Sequence, residues 1–181
     1  MNIQSLLRST VLGTTLLALV AGTAMAQTPA ANQLSKLTPV TDDMLKNPPD
    51  SDWLMWRRTH NSWGFSPLNQ INKNNVSKLR MAWARSLPLG TQESTPIVYR
   101  GVMYLFAPGA TIQAVDATNG DLIWEYARKY PVGVMGGRAR EKSLAIYEDM
   151  IYFAAPDGFL VAIDAKSGQQ RWETKLDNGG Q

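Results

Sequence analysis

Cysteine is absent from the 181 residues, and histidine occurs once, as His60. Within this stretch the first absence excludes a thiol nucleophile, a zinc–cysteine site, cysteine-attached haem and any disulfide. A lone histidine in Arg58-Thr59-His60-Asn61-Ser62 has no serine–aspartate context and reads as a surface residue. No metal cluster can be assembled from these residues either, because a hard cation such as calcium needs several converging oxygen ligands.

Charge of one sign is not concentrated: 18 Lys and Arg stand against 15 Asp and Glu, a net charge of +3. The nearest grouping, Arg138, Arg140 and Lys142, has Glu141 inside it. The basic stripe of a nucleic-acid binder is therefore missing. Missing too is an apolar run of about 20 residues, the length of a spanning helix. The longest such run, residues 11–20, follows a stretch carrying the single cation Arg8 and precedes Ala24-Met25-Ala26. That order is a secretory signal over 1–26 with cleavage expected after Ala26, so a periplasmic location without a stable membrane span is expected. Export would permit disulfides, yet none is possible here, so stability must come from packing.

What is present begins with a polar, proline-dotted lead-in over 27–51, read as extended with a short helix at 41–46 capped by Thr41 or Asp42. Trp53, Trp56 and Trp63 then arrive close together and call for a surface to bury against. From residue 95 the pattern is β. Residues 95–98, 102–107, 112–116, 122–127, 143–147, 150–155, 160–164 and 170–175 are short apolar or alternating runs bounded by Gly, Pro, Asn or Asp. Such spacing means antiparallel, all-β architecture.

The runs repeat. Ala114-Val115-Asp116-Ala117-Thr118-Asn119-Gly120-Asp121-Leu122-Ile123-Trp124 returns as Ala162-Ile163-Asp164-Ala165-Lys166-Ser167-Gly168-Gln169-Gln170-Arg171-Trp172. Asp116 and Asp164, Gly120 and Gly168, Trp124 and Trp172, and Tyr104 and Tyr152 are all 48 positions apart. A fixed period of that size with four strands per unit marks a β-propeller blade. Each residue type has a task. Asp116 and Asp164 accept hydrogen bonds from the following turn, and Gly120 and Gly168 take a left-handed backbone. Trp124 and Trp172 begin the outer strand and offer a flat side chain to the neighbouring blade. Trp83 closes an earlier partial unit.

Residues 136–143, Gly-Gly-Arg-Ala-Arg-Glu-Lys-Ser, approach a phosphate-binding loop. Glu141 replaces its second glycine and a strand-like run follows instead of a helix, so the nucleotide reading is rejected.

The motif Ala-x-Asp-x-x-x-Gly-x-x-x-Trp resembles the tryptophan-docking motif of eight-bladed quinoprotein propellers, the pyrroloquinoline quinone (PQQ)-dependent alcohol and methanol dehydrogenases. The stretch Asp52-Trp53-Leu54-Met55-Trp56-Arg57-Arg58, then Phe65-Ser66-Pro67-Leu68-Asn69-Gln70-Ile71-Asn72, Asn75-Val76-Ser77-Lys78-Leu79 and Ala82-Trp83, is similar to the family's opening segment. The resemblance runs from Asp52 to the end of the chain. It implies two to three N-terminal blades of such a propeller over 52–181, with the catalytic aspartate and the ligands of a divalent cation, calcium as a rule, beyond Gln181. It implies PQQ as cofactor, an alcohol or aldehyde as substrate, and a cytochrome c or quinone-linked electron acceptor. This stretch alone is then expected to be inactive.

Carried over by position, Glu93 in Gly90-Thr91-Gln92-Glu93-Ser94-Thr95-Pro96 matches the glutamate that hydrogen-bonds the quinone. Gly136 and Gly137 occupy the place of an adjacent cysteine pair that covers one cofactor face in many members, a departure that puts the methanol-type subclass in doubt. Lys142 falls near the family's quinone-facing arginine, with Arg140 as the other cation in reach; lysine lacks the planar guanidinium fork. The alternative is a non-catalytic propeller scaffold of the bacterial envelope. An envelope lipoprotein of that kind would need a cysteine after the signal, and none exists.

Overall fold

The computed structural model describes residues 29–108, 111–130 and 143–176, with side chains from residue 32. The expected all-β plan is present as two four-stranded antiparallel sheets. The first contains β1 (Ile97–Tyr99), β2 (Val102–Ala107), β3 (Thr111–Asp116) and β4 (Leu122–Ala127), and the second β5 (Ala145–Tyr147), β6 (Met150–Ala155), β7 (Phe159–Asp164) and β8 (Gln170–Lys175). In both, spatial order follows chain order. The registers repeat: Tyr104 pairs with Ala114 and Ala114 with Trp124, as Tyr152 pairs with Ala162 and Ala162 with Trp172.

Both blades carry a bulge at the same place, between Ala114 and Val115 and between Ala162 and Ile163. The extra residue, Ile123 or Arg171, sits directly before the tryptophan, which is thus the third residue of its strand and not the first. A bulge sharpens twist and re-aims the next side chain. Inner strands are shorter than the sequence suggested. Thr95 and Ser143 leave the ladder and form a parallel bridge with each other, holding the two blades side by side at their inner ends.

The lead-in is not simply extended. It opens with α1 (Pro29–Ser35), where proline fits the first helical position and two alanines follow. The expected helix is α2 (Asp42–Lys46), capped by the Thr41 hydroxyl, which accepts from the Met44 N–H. Around these the lead-in straps the blades. Val40 exchanges two backbone bonds with Glu148 of the second blade, and Trp53 exchanges two with Val98 of the first. Leu37, Val40 and Leu54 are buried in the same apolar core as Ile97, Tyr104, Ile151 and Val161. Of the clustered tryptophans only Trp53 finds a surface; Trp56 and Trp63 are 56% and 76% exposed, since the segment they enter pairs with neither sheet.

The joint between blades is the repeated motif in action. Gly120 and Gly168 have φ of +78° and +71°. The Asp116 carboxylate accepts from the Thr118 N–H and hydroxyl, and the Asp164 carboxylate from the Lys166 and Ser167 N–H groups and the Ser167 hydroxyl. Against each turn lies the tryptophan of the preceding unit. Trp83 donates its indole N–H to the Ala117 carbonyl at 3.1 Å, and Trp124 donates to Ala165 at 3.1 Å. A Cβ on Gly120 would stand 2.5 Å from the Trp83 ring, and one on Gly168 2.6 Å from the Trp124 ring. Glycine is therefore required twice over, for backbone and for ring. The Tyr104 hydroxyl donates to the same Ala165 carbonyl at 3.0 Å, beside Trp124. Burial pushes the Tyr104 phenol far above its ordinary range, with smaller contributions from Tyr99 and Asp164. An indole of this kind withdraws roughly 150–250 Å² from water, about 4–6 kcal/mol at the usual area coefficient.

Two predictions follow from this joint. Gly101 has φ +83° but faces the flexible side chain of Gln33, whereas Gly168 faces a fixed indole. Gly101→Ala should cost about 1 kcal/mol of unfolding free energy from backbone strain, and Gly168→Ala about 3 kcal/mol once overpacking is added, as read by denaturant titration. The second concerns acid. Burial alone would raise the Asp164 carboxyl, but bonds from Ser167 and Lys166 and the charge of Arg171 outweigh it and hold it below the ordinary carboxylate value. A depressed folded-state value contributes stability above the unfolded value that is lost as pH falls through the folded one. The acid limb of the stability–pH curve below about pH 4 should therefore be shallower in Asp164→Asn than in the parent.

Candidate functional site

Each blade has two ends. At one lie the docking turns 117–120 and 165–168, the lead-in strap and the hairpin turns after β1 and β5. At the other lie Thr95, Ser143, the end of β4 and the β6–β7 turn. Glu93 belongs to this second end, two residues before the Thr95–Ser143 bridge, and is exposed to solvent. Its neighbour Gln92 is fixed by donating to the Phe106 carbonyl and to Ser94. Gly90, at φ +151°, packs so closely on Pro108 that a Cβ would approach it to 2.5 Å. The segment that carries Glu93 is thus held on both sides of it. Lys142 immediately precedes Ser143 in the chain. Lys142, Arg140, Gly136 and Gly137 themselves lie outside the described residues, as does the signal segment 1–26.

A carboxylate at the inner end of a blade suits a hydrogen-bond partner for a polar, planar cofactor. Among the described residues there is no group of three His, Cys, Asp or Glu side chains that could hold a metal ion, and no helix long and apolar enough to cross a membrane. One cleft of about 210 Å³ opens between the strap and the docking-end turns, lined by Leu37, Thr38, Pro39, Tyr99, Ile146 and Lys166 among others. It lies at the opposite end from Glu93.

Sequence reasoning missed one cluster at the Glu93 end. Arg128, the residue after β4, inserts between the blades with its side chain 8% exposed. It holds Asp157 of the β6–β7 turn through both carboxylate oxygens and reaches Glu173 of β8 at 2.6 Å. Its guanidinium also lies 5.1 Å from the Phe159 ring centre. An arginine four residues past the motif tryptophan was the available signal; the partners, 29 and 45 residues on, were not legible.

The family model of the PQQ glucose/ethanol/alcohol dehydrogenase β-propeller domain matches residues 53–173. The dehydrogenase subunit of a quinone alcohol dehydrogenase from Gluconobacter oxydans is 42% identical over 81 residues, 44% of this chain and 11% of that protein. The solved quinohemoprotein alcohol dehydrogenase ADHIIG of Pseudomonas putida HK5 superposes with TM-score 0.70 at 33% identity, over 78% of this chain and 22% of that one. A europium-containing methanol dehydrogenase superposes with TM-score 0.66 at 28% identity, over 76% and 25%. The chain thus spans about a tenth of the curated relative and about a quarter of the solved chains. With its two blades, its repeated joint and this match over most of its length, the chain belongs to the PQQ-dependent glucose, ethanol and alcohol dehydrogenase β-propeller family.

Proposed function

We infer that the chain is the N-terminal part of an exported PQQ-dependent dehydrogenase that oxidises an alcohol or aldehyde and passes electrons to a cytochrome c or quinone-linked acceptor. The observation that supports this most is the family match over 53–173 together with a solvent-exposed carboxylate, Glu93, at the inner end of the first blade. When bound, PQQ supplies the two-electron chemistry; the protein binds and orients it. In this reading Glu93 accepts or shares a hydrogen bond with the cofactor. Lys142 or Arg140 places positive charge toward its oxygens, and Gly136 and Gly137 let backbone approach its face. A cation, divalent calcium or a trivalent lanthanide, takes its ligands from other parts of the protein. The 26-residue leader delivers the chain to the periplasm. By itself this segment carries no complete set of catalytic groups and does not turn over substrate.

The test is a PQQ titration of the full-length protein, followed by quenching of tryptophan fluorescence. Glu93→Gln keeps shape and removes charge, and should weaken binding about ten-fold or more, the size of a lost charge-assisted hydrogen bond. Unchanged affinity removes Glu93 from the site. Failure of the full-length protein to bind PQQ at all removes the quinoprotein reading.

A further inference from the structure

The tryptophan dock holds blades together but does not tell one blade from another. Its two occurrences use the same ring-on-glycine contact and the same indole N–H to carbonyl bond, 3.1 Å in each. A repeat protein fastened only in this way can dock a tryptophan on the wrong turn, or on a turn of a second copy.

Beside each dock, however, the polar groups differ. At the first joint Arg85, two residues past Trp83, donates to the buried Gln113 side chain at 3.3 Å and to the Gly120 carbonyl at 3.3 Å. At the second joint Tyr126, two residues past Trp124, donates to Gln170 at 2.7 Å. Arg128, four residues past Trp124, takes Asp157, Glu173 and Phe159. Among the residues 48 positions away, Glu125 repeats Glu173, but the other partners are not repeated. Gln113 corresponds to Val161, Gln170 to Leu122, Asp157 to Gly109 and Phe159 to Thr111.

We propose that Arg85 beyond Trp83, and Tyr126 and Arg128 beyond Trp124, form a joint-specific code, in which the pairing of Arg128 with Asp157 admits the second blade alone beside the first. Correct docking satisfies both guanidinium groups. Exchanged docking would press Arg85 against Val161, which is fully buried, and leave Arg128 with Glu125 alone, without the counterpart of Asp157 that it holds through both carboxylate oxygens. A buried cation without its partner is strongly unfavourable. The dock and the Arg128 cluster also lie at opposite ends of the same joint, so together they fix its rotation as well as its neighbour. Specificity then comes from what a wrong joint cannot satisfy.

The experiment refolds the full-length protein and measures monomer fraction by size exclusion with light scattering, together with the unfolding temperature. Arg128→Glu should lower the unfolding temperature by roughly 5 °C or more and shift refolded material from monomer to oligomer. Adding Asp157→Arg should recover more than half of both losses. The paired variant Arg128→Leu with Asp157→Ala separates code from stability, because an apolar pair of this kind keeps the unfolding temperature within about 2 °C. The proposal expects that variant still to refold with several-fold more oligomer than the parent. A monomer fraction equal to the parent's in that variant overturns it, as does a charge reversal that Asp157→Arg fails to rescue.

Discussion

The structure depends on one contact: an indole ring laid flat on a glycine that has no side chain and a left-handed backbone. Trp124 over Gly168 and Trp83 over Gly120 are two instances of it. The contact joins three requirements in one place. The aspartate organises the turn, the turn aims a carbonyl outward, and the carbonyl receives the indole N–H. Because the glycine must be bare for both conformational and steric reasons, neither it nor the tryptophan can vary independently.

From that contact the rest of the joint follows outward. Tyr104 adds a second donor to the Ala165 carbonyl, while Phe106 and Tyr126 pack edge-on against Phe153 across the blades. The bulge before each tryptophan turns it out of its own sheet and toward the next. At the docking end the lead-in ties both blades through Val40 and Trp53; at the other end Arg128 does so by charge. At that same end the Thr95–Ser143 bridge brings the inner strands together beside the segment bearing Glu93. The end that bears Glu93 thus inherits its geometry from a joint whose tryptophan dock lies at the opposite end.

Much of this was legible in residue order because it is local or periodic. The eight strands announced themselves by short apolar runs between turn residues, and the 48-residue offset fixed the blade and its motif. Aspartate and glycine roles in the turn could be assigned because both act within five residues. What stayed hidden was contact at long separation. Gly168 was read as a turn former, while its second role as the floor for Trp124 needs a partner 44 residues earlier. The same holds for Arg128 and Asp157, and for the strap, whose polar composition concealed three buried apolar residues. Helix α1 was missed because its seven residues carry no amphipathic period, only a favourable proline and two alanines. Trp56 and Trp63 were expected to bury and do not, since neither sheet offers them a face. The candidate site was legible only through family resemblance. An exposed loop carboxylate such as Glu93 has no local signature that distinguishes it from any other.

The measurement that tests the central claim most directly is hydrogen exchange of the individual indole N–H groups in this 181-residue chain, assigned by single tryptophan-to-phenylalanine substitution. The account predicts that the indole protons of Trp83 and Trp124, each donated to a backbone carbonyl of the docking turn, exchange slowly. That of Trp172, 40% exposed with no docking turn over it among the described residues, should exchange fast. If Trp124 exchanges as fast as Trp172, the ring is not seated on the Gly168 turn, and the joint from which the fold has been built does not exist.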